Sequence, residues 1–167
     1  AHVTGRRRKA PLGDALRPRP VPKRPPMPTD SVLEKFQGRI GYRFRDLDLL
    51  RRALHHASSA AHRRDSNERM EFLGDAVLGL VICEALYERL PEALEGEMTK
   101  IKSAVVSRRA CADVARTLNL TDGLVLGQGM DNGEHLPTSL AAGTLEAVIA
   151  AVYLDGGLEP ARDFILR

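Results

Sequence analysis

The sequence predicts an all-α domain preceded by a disordered basic arm. Three observations carry this expectation. Apolar residues recur at helical spacing through most of residues 31–167, and no convincing alternation of strand type appears. Aromatic residues are only 4% of the chain, whereas frequent proline is confined to its first part.

Residues 1–30 are read as the arm. Seven of the ten prolines lie here, interleaved with Arg6, Arg7, Arg8, Lys9, Arg17, Arg19, Lys23 and Arg24. Frequent proline removes backbone donors, and so little apolar surface cannot offset the entropy of ordering. The arm holds eight basic residues against Asp14 and Asp30, while the whole chain is only +3, which leaves residues 31–167 at −3. The basic character therefore belongs to the arm. It either meets nucleic-acid phosphate by counterion release or serves as a plain solubilising leader.

Residues 31–167 are expected to form one domain. Ser31-Val32-Leu33-Glu34 has the pattern of a capping box. Val32, Phe36 and Ile40 follow at four-residue spacing, and Gly41 supplies a stop. A second helix is expected from Asp46 to about His56, with Leu47, Leu50 and Leu54 inward. The third and longest runs from about Asn67 to Leu90, bounded by Pro91. Another spans Glu97 to Leu118 with a break near Ser107. Gly123, Gly127, Gly129 and Gly133 mark a connecting loop. Pro137 then opens an Ala-rich helix that stops at Gly156-Gly157, and a last helix starts near Glu159.

No apolar stretch reaches membrane-span length and no signal-peptide core is visible, so no membrane partner and a cytoplasmic location are expected. Cys83 and Cys111 lack metal-site spacing and are expected as reduced core thiols. The five histidines show no ligand spacing, and none is assigned a catalytic role.

The chemistry is expected in the third helix. Glu68, Glu71 and Asp75 stand at i, i+3 and i+7, within roughly 60° of one another on a helical wheel. Carboxylates so placed repel one another and are costly to desolvate unless a cation neutralises them. Oxygen-only clusters suit hard ions such as Mg²⁺. Spacing alone leaves a solvated acidic stripe as the alternative.

The string Glu68-Arg69-Met70-Glu71-Phe72-Leu73-Gly74-Asp75-Ala76-Val77-Leu78 resembles the signature of the ribonuclease III family, nucleases that cut double-stranded RNA. The resemblance continues in order along the chain. Upstream lie Leu33-Glu34-Lys35-Phe36, Ile40-Gly41-Tyr42-Arg43-Phe44 and Ala53-Leu54-His55-His56-Ala57-Ser58. Downstream lie Glu95-Gly96-Glu97-Met98-Thr99-Lys100, Leu126-Gly127-Gln128-Gly129 and Leu145-Glu146-Ala147 leading to Tyr153-Leu154-Asp155-Gly156-Gly157.

The resemblance implies a ribonuclease III-type helical endonuclease domain that uses Mg²⁺, with Mn²⁺ as a substitute, and acts as a homodimer on double-stranded RNA. Glu71, Asp75 and Glu146 become metal ligands, with Asp75 and Glu146 catalytic and Asp75 also a candidate base for the water. Glu68 and Glu95 match acidic positions used in RNA processing near the dimer interface. For Glu68 the alternative is a first-turn carboxylate favoured by the helix dipole. Phe72 matches an aromatic that enters the partner subunit, with a core phenylalanine as the alternative. Gly74 is expected to let another helix approach closely. Lys100, Lys102, Arg108 and Arg109 are candidate phosphate contacts or solvated surface. The implied products carry 5′-phosphate and 3′-hydroxyl ends, as in rRNA maturation. Many family members carry a separate double-stranded-RNA-binding domain after this point.

One position departs from the pattern. The family reads Ala-Asp-x-x-Glu-Ala where this chain has Ala142-Gly143-Thr144-Leu145-Glu146-Ala147. The expected aspartate is Gly143. Met130 likewise stands where a glutamate often follows the Gly-x-Gly turn. Water can replace a missing oxygen ligand on Mg²⁺, with some loss of affinity. The rival reading is a catalytically impaired relative that binds RNA or joins a ribonucleoprotein. A more distant rival, a nucleotide phosphohydrolase, lacks phosphate-binding glycines or arginines beside the acids.

Overall fold

The computed structural model describes residues 26–127, 130 and 136–167, and within them the apolar stripes close around one helix. The expected arm through residue 25, and loop residues 128, 129 and 131–135, lie outside the described residues. Seven α-helices are present among the described residues: α1 (Asp30–Ile40), α2 (Leu47–Ala53), α3 (Glu68–Arg89), α4 (Glu95–Val105), α5 (Arg108–Thr117), α6 (Thr138–Gly156) and α7 (Leu158–Leu166). The domain is all-α, with one isolated bridge between His55 and Val125.

Helix α6 is the axle. From Ala141 to Val152 every residue except Glu146 is buried. Its alanines keep the helix thin, so α3, α5, α2 and α7 pack directly around it. The buried Thr144 hydroxyl is satisfied by the Leu140 carbonyl at 2.7 Å. By length and composition α6 could cross a membrane, contrary to the expectation that no stretch would qualify. In this fold other helices cover it instead.

Local chemistry sets the other boundaries. Gly41 stops α1 in the left-handed region at φ 69°, and its N–H reaches the Gln37 carbonyl at 2.8 Å. Asp46 caps α2 by accepting from the Asp48 N–H at 2.9 Å. Ser107 marks the expected break, its hydroxyl accepting from Ala110 N–H at the start of α5. Gly157, at φ 89°, turns the chain from α6 into α7.

Several expectations need correction. The Ser31–Glu34 capping box does not form, because the chain becomes helical earlier. The Thr29 carbonyl already accepts from Val32 and Leu33 N–H, which puts Ser31 inside the first turn. Glu34 pairs instead with Arg43. Helix α2 ends at Ala53 rather than His56, since the Leu54–His56 backbone bonds across to Val125. The helix expected from Glu97 begins at Glu95. Cys111 is a buried thiol as expected, but Cys83 is exposed. It lies on an outward face of α3 that is apolar yet uncovered, so an apolar neighbourhood in sequence did not mean burial.

Candidate active site

The site originates at Gly74. A Cβ added there would be built into the Glu146 carbonyl. Backbone therefore meets backbone where α3 crosses α6, a contact open only to glycine. Glycine in a helix interior costs up to about 1 kcal/mol relative to Ala, and the close packing offsets it. The crossing brings the Glu71–Asp75 face of α3 beside Glu146 of α6.

A cleft of about 520 Å³ opens at this crossing, lined by Glu68, Glu71, Asp75 and Phe72 from α3, Arg108 from α5, and Ser139, Ala142, Gly143 and Glu146 from α6. The three expected metal ligands share it. Ser139 and Ala142 were missed in the sequence. Their offsets of seven and four from Glu146 put them on its helical face, so that spacing was the available signal.

Gly143 shapes the cleft floor. A Cβ there would lie 2.7 Å from Glu71 Oε2 and 2.8 Å from its Cδ. The Glu71 carboxylate thus occupies room that a side chain from α6 would need.

Electrostatics mark the cluster. Burial, reinforced by Glu71 and Asp75, pushes the Glu146 carboxyl up to about 7, with Arg108 opposing. Glu71 is raised by burial and by Glu68 and Asp75, again against Arg108. Beneath them, burial together with Glu146 and Asp75 lifts the Cys111 thiol to about 11, which leaves it unreactive. Glu68 behaves differently. Arg63 holds it through Nε at 3.0 Å and Nη2 at 2.6 Å, and that bond keeps it below the usual carboxylate range.

The donor set fits a hard divalent cation: carboxylate oxygens only, partly desolvated and mutually repelling. Among the described residues no three acidic, histidine or cysteine side chains already enclose a point where an ion would sit.

Other candidates lie elsewhere. Glu95 is not in the acidic cleft. It lines a second groove of about 490 Å³ with Leu80, Cys83, Tyr87, Met98 and Lys102, because α4 packs beside the distal half of α3. Phe72 is 82% exposed, so its core reading falls away. Leu80 (54%) and Tyr87 (75%) continue that outward apolar face. Of the four basic candidates only Arg108 reaches the cleft. His55 and His56 serve structure, their Nδ1 atoms meeting the Asp65 carbonyl and the Ser58 hydroxyl.

Comparison with known proteins finds one consistent set of relatives. A family described as ribonuclease-III-like matches residues 46–167. A ribonuclease 3 of Rhodopirellula baltica is 57% identical over 131 residues, covering 78% of this chain and 49% of that protein. One from Rhodopseudomonas palustris is 46% identical over 135 residues, covering 79% and 50%. The chain thus spans about half the length of these curated relatives. A structure of the ribonuclease III nuclease domain from Campylobacter jejuni, described as flexible in a region involved in dimer formation, superposes with a TM-score of 0.76 at 38% identity, covering 81% of this chain and 94% of that one. Dicer from Pichia stipitis superposes at 0.57 with 25% identity, covering 73% and 53%.

Proposed function

The chain belongs to the ribonuclease III family as an endonuclease domain, and from that premise we propose that it hydrolyses phosphodiester bonds of double-stranded RNA with a divalent metal. The observation that carries the proposal is the shared cleft of Glu71, Asp75 and Glu146, three acids whose one cationic neighbour among the described lining residues is Arg108. These residues would hold Mg²⁺, or Mn²⁺ in its place. When bound, the ion supplies Lewis acidity that activates water and neutralises charge on the phosphoryl group.

The chain's own residues supply the rest. Glu146, raised to about 7 by burial and its neighbours, would have to be deprotonated to hold the ion. Asp75, the exposed acid of the trio, lines the same cleft and would take a proton from the attacking water. Arg108 faces the same space and can bond phosphate oxygens. The products would carry 5′-phosphate and 3′-hydroxyl ends, as in rRNA maturation. The eight basic residues between Arg6 and Arg24 would add phosphate contacts ahead of the domain, and the location would be cytoplasmic.

The active form is proposed to be a homodimer. Phe72, Leu80 and Tyr87 leave one face of α3 apolar and uncovered, and the groove lined by Leu80, Tyr87 and Met98 has room for an aromatic side chain. A two-fold axis would bury the same patch on both copies. Light scattering at micromolar concentration should report twice the chain mass.

The test is cleavage of a plain RNA duplex with and without Mg²⁺. Metal-dependent products with 5′-phosphate ends bear the proposal out. The impaired, RNA-binding alternative is favoured by Gly143. It takes over if the duplex is bound but stays intact at every Mg²⁺ and Mn²⁺ concentration, with Gly143→Asp as well.

A further inference from the structure

Gly143 alters the charge balance of the cleft as well as its shape. The walls carry Glu68, Glu71, Asp75 and Glu146 against Arg108. Glu68 is already committed to Arg63. Three carboxylates facing one guanidinium leave two negative charges, the amount one divalent ion neutralises. A second ion would have to enter an already neutral cleft beside Arg108, against repulsion from both the first ion and the guanidinium. Gly143 offers it no oxygen.

Arg108 is not explained by helix stability. It stands at the first position of α5, where the helix dipole disfavours a cation. Among the described residues it makes no ion pair, so its donors remain open toward the cleft. A guanidinium so presented matches a phosphate geometrically as well as electrically.

We infer that this cleft takes one divalent cation per chain, and that Arg108 supplies the second positive charge facing the substrate phosphate. The inference rests on the metal-dependent reading above and deepens it.

Equilibrium dialysis of the full chain against Mn²⁺, with free ion followed by electron paramagnetic resonance, counts the ions directly. One ion per chain is expected at saturation. Gly143→Asp should raise the count to two, whereas Gly143→Ala, which fills the same space without charge, should leave it at one. Arg108→Gln should bind Mn²⁺ more tightly, having lost a repelling charge, yet cleave duplex RNA at least roughly ten-fold more slowly. That opposition is not what a merely structural role would produce.

Two ions bound by the parent chain, with cleavage intact, overturn the inference and leave the proposed function standing. So does a Gly143→Asp protein that folds, by circular dichroism, and still binds one. Should that variant not fold, the parent's count and the Arg108→Gln pair decide alone. An Arg108→Gln protein that cleaves as fast as its parent removes Arg108 from the site. No bound ion and no cleavage by the parent takes down the metal reading itself.

Discussion

Helix α6 carries two acidic residues and surrounds them in opposite ways. Asp155, near its C-terminal end, accepts the Tyr42 hydroxyl at 2.7 Å and the Arg45 and Asp46 N–H groups at 2.9 Å each. A carboxylate at that end opposes the helix dipole, and these donors offset it. Burial works against its ionisation, yet the Arg45 N–H, the Tyr42 hydroxyl and the Asp46 N–H hold it below the usual aspartate range. Burial, and then the same bond, push the Tyr42 hydroxyl up to about 12. Glu146, mid-helix, has no such donor among the described residues; its neighbours are burial, Glu71 and Asp75, and it rises to about 7. A carboxylate supplied with donors by its own chain ties the fold together, here α6 to the α1–α2 turn. One left among like charges is shaped for something the chain does not provide.

The contrast is broken most directly by Glu146→Gln. Duplex cleavage should fall by at least about 100-fold, roughly 3 kcal/mol of transition-state stabilisation, while the melting temperature stays level or rises. A large drop in melting temperature with cleavage retained would move Glu146 to the class of Asp155.

Asp155→Ala should do the reverse. Losing three hydrogen bonds to a charged group, and leaving their donors partly unpaired, should cost about 2–3 kcal/mol in chemical denaturation. That corresponds to a melting point lower by roughly 5–10 °C. Cleavage by the remaining folded protein, assayed well below that melting point, should change only a few-fold.

The smallest effect is a pH profile with two limbs. Asp155 has a lowered folded pKa, so its stabilisation is present above the ordinary aspartate value and lost as pH falls through the folded one. Glu146 has a raised folded pKa, so stability falls as pH rises from the ordinary glutamate value of 4.5 toward about 7. Metal-free protein should therefore melt highest near pH 5. The upper limb should amount to about 1–2 kcal/mol, discounted for solvent screening, and saturating Mg²⁺ or Glu146→Gln should flatten it. An upper limb unchanged by either would detach the carboxylate cluster from the pH response.

Much of this was legible in residue order. Gly41 and Gly157 stop helices where chain reversal needs a left-handed residue, and Ser107 breaks a long apolar repeat by capping α5. Glu71 and Asp75 were visible as one face because helical geometry fixes their spacing. Inside and outside were less readable on α3 and α6. Helix α6 is apolar nearly all round, and α3 keeps an uncovered apolar side, so periodicity could not foretell that Cys83 and Phe72 are exposed. The separation of Glu95 from the cleft, and the entry of Arg108 into it, depend on how α4 and α5 pack, which no local pattern encodes. The part played by Asp155 was hidden because its three partners lie more than a hundred residues upstream.

The crossing at Gly74 works as a gauge block between the two acid-bearing helices. Their separation is set by main chain resting on main chain, with no side chain as a shim. Val81, Val148 and Ile149 belong to the core that these two helices share, and a close-packed core transmits strain to its backbone. Any side chain at Gly74 would therefore widen the gap that Glu71 and Glu146 span, even though both acids were left in place.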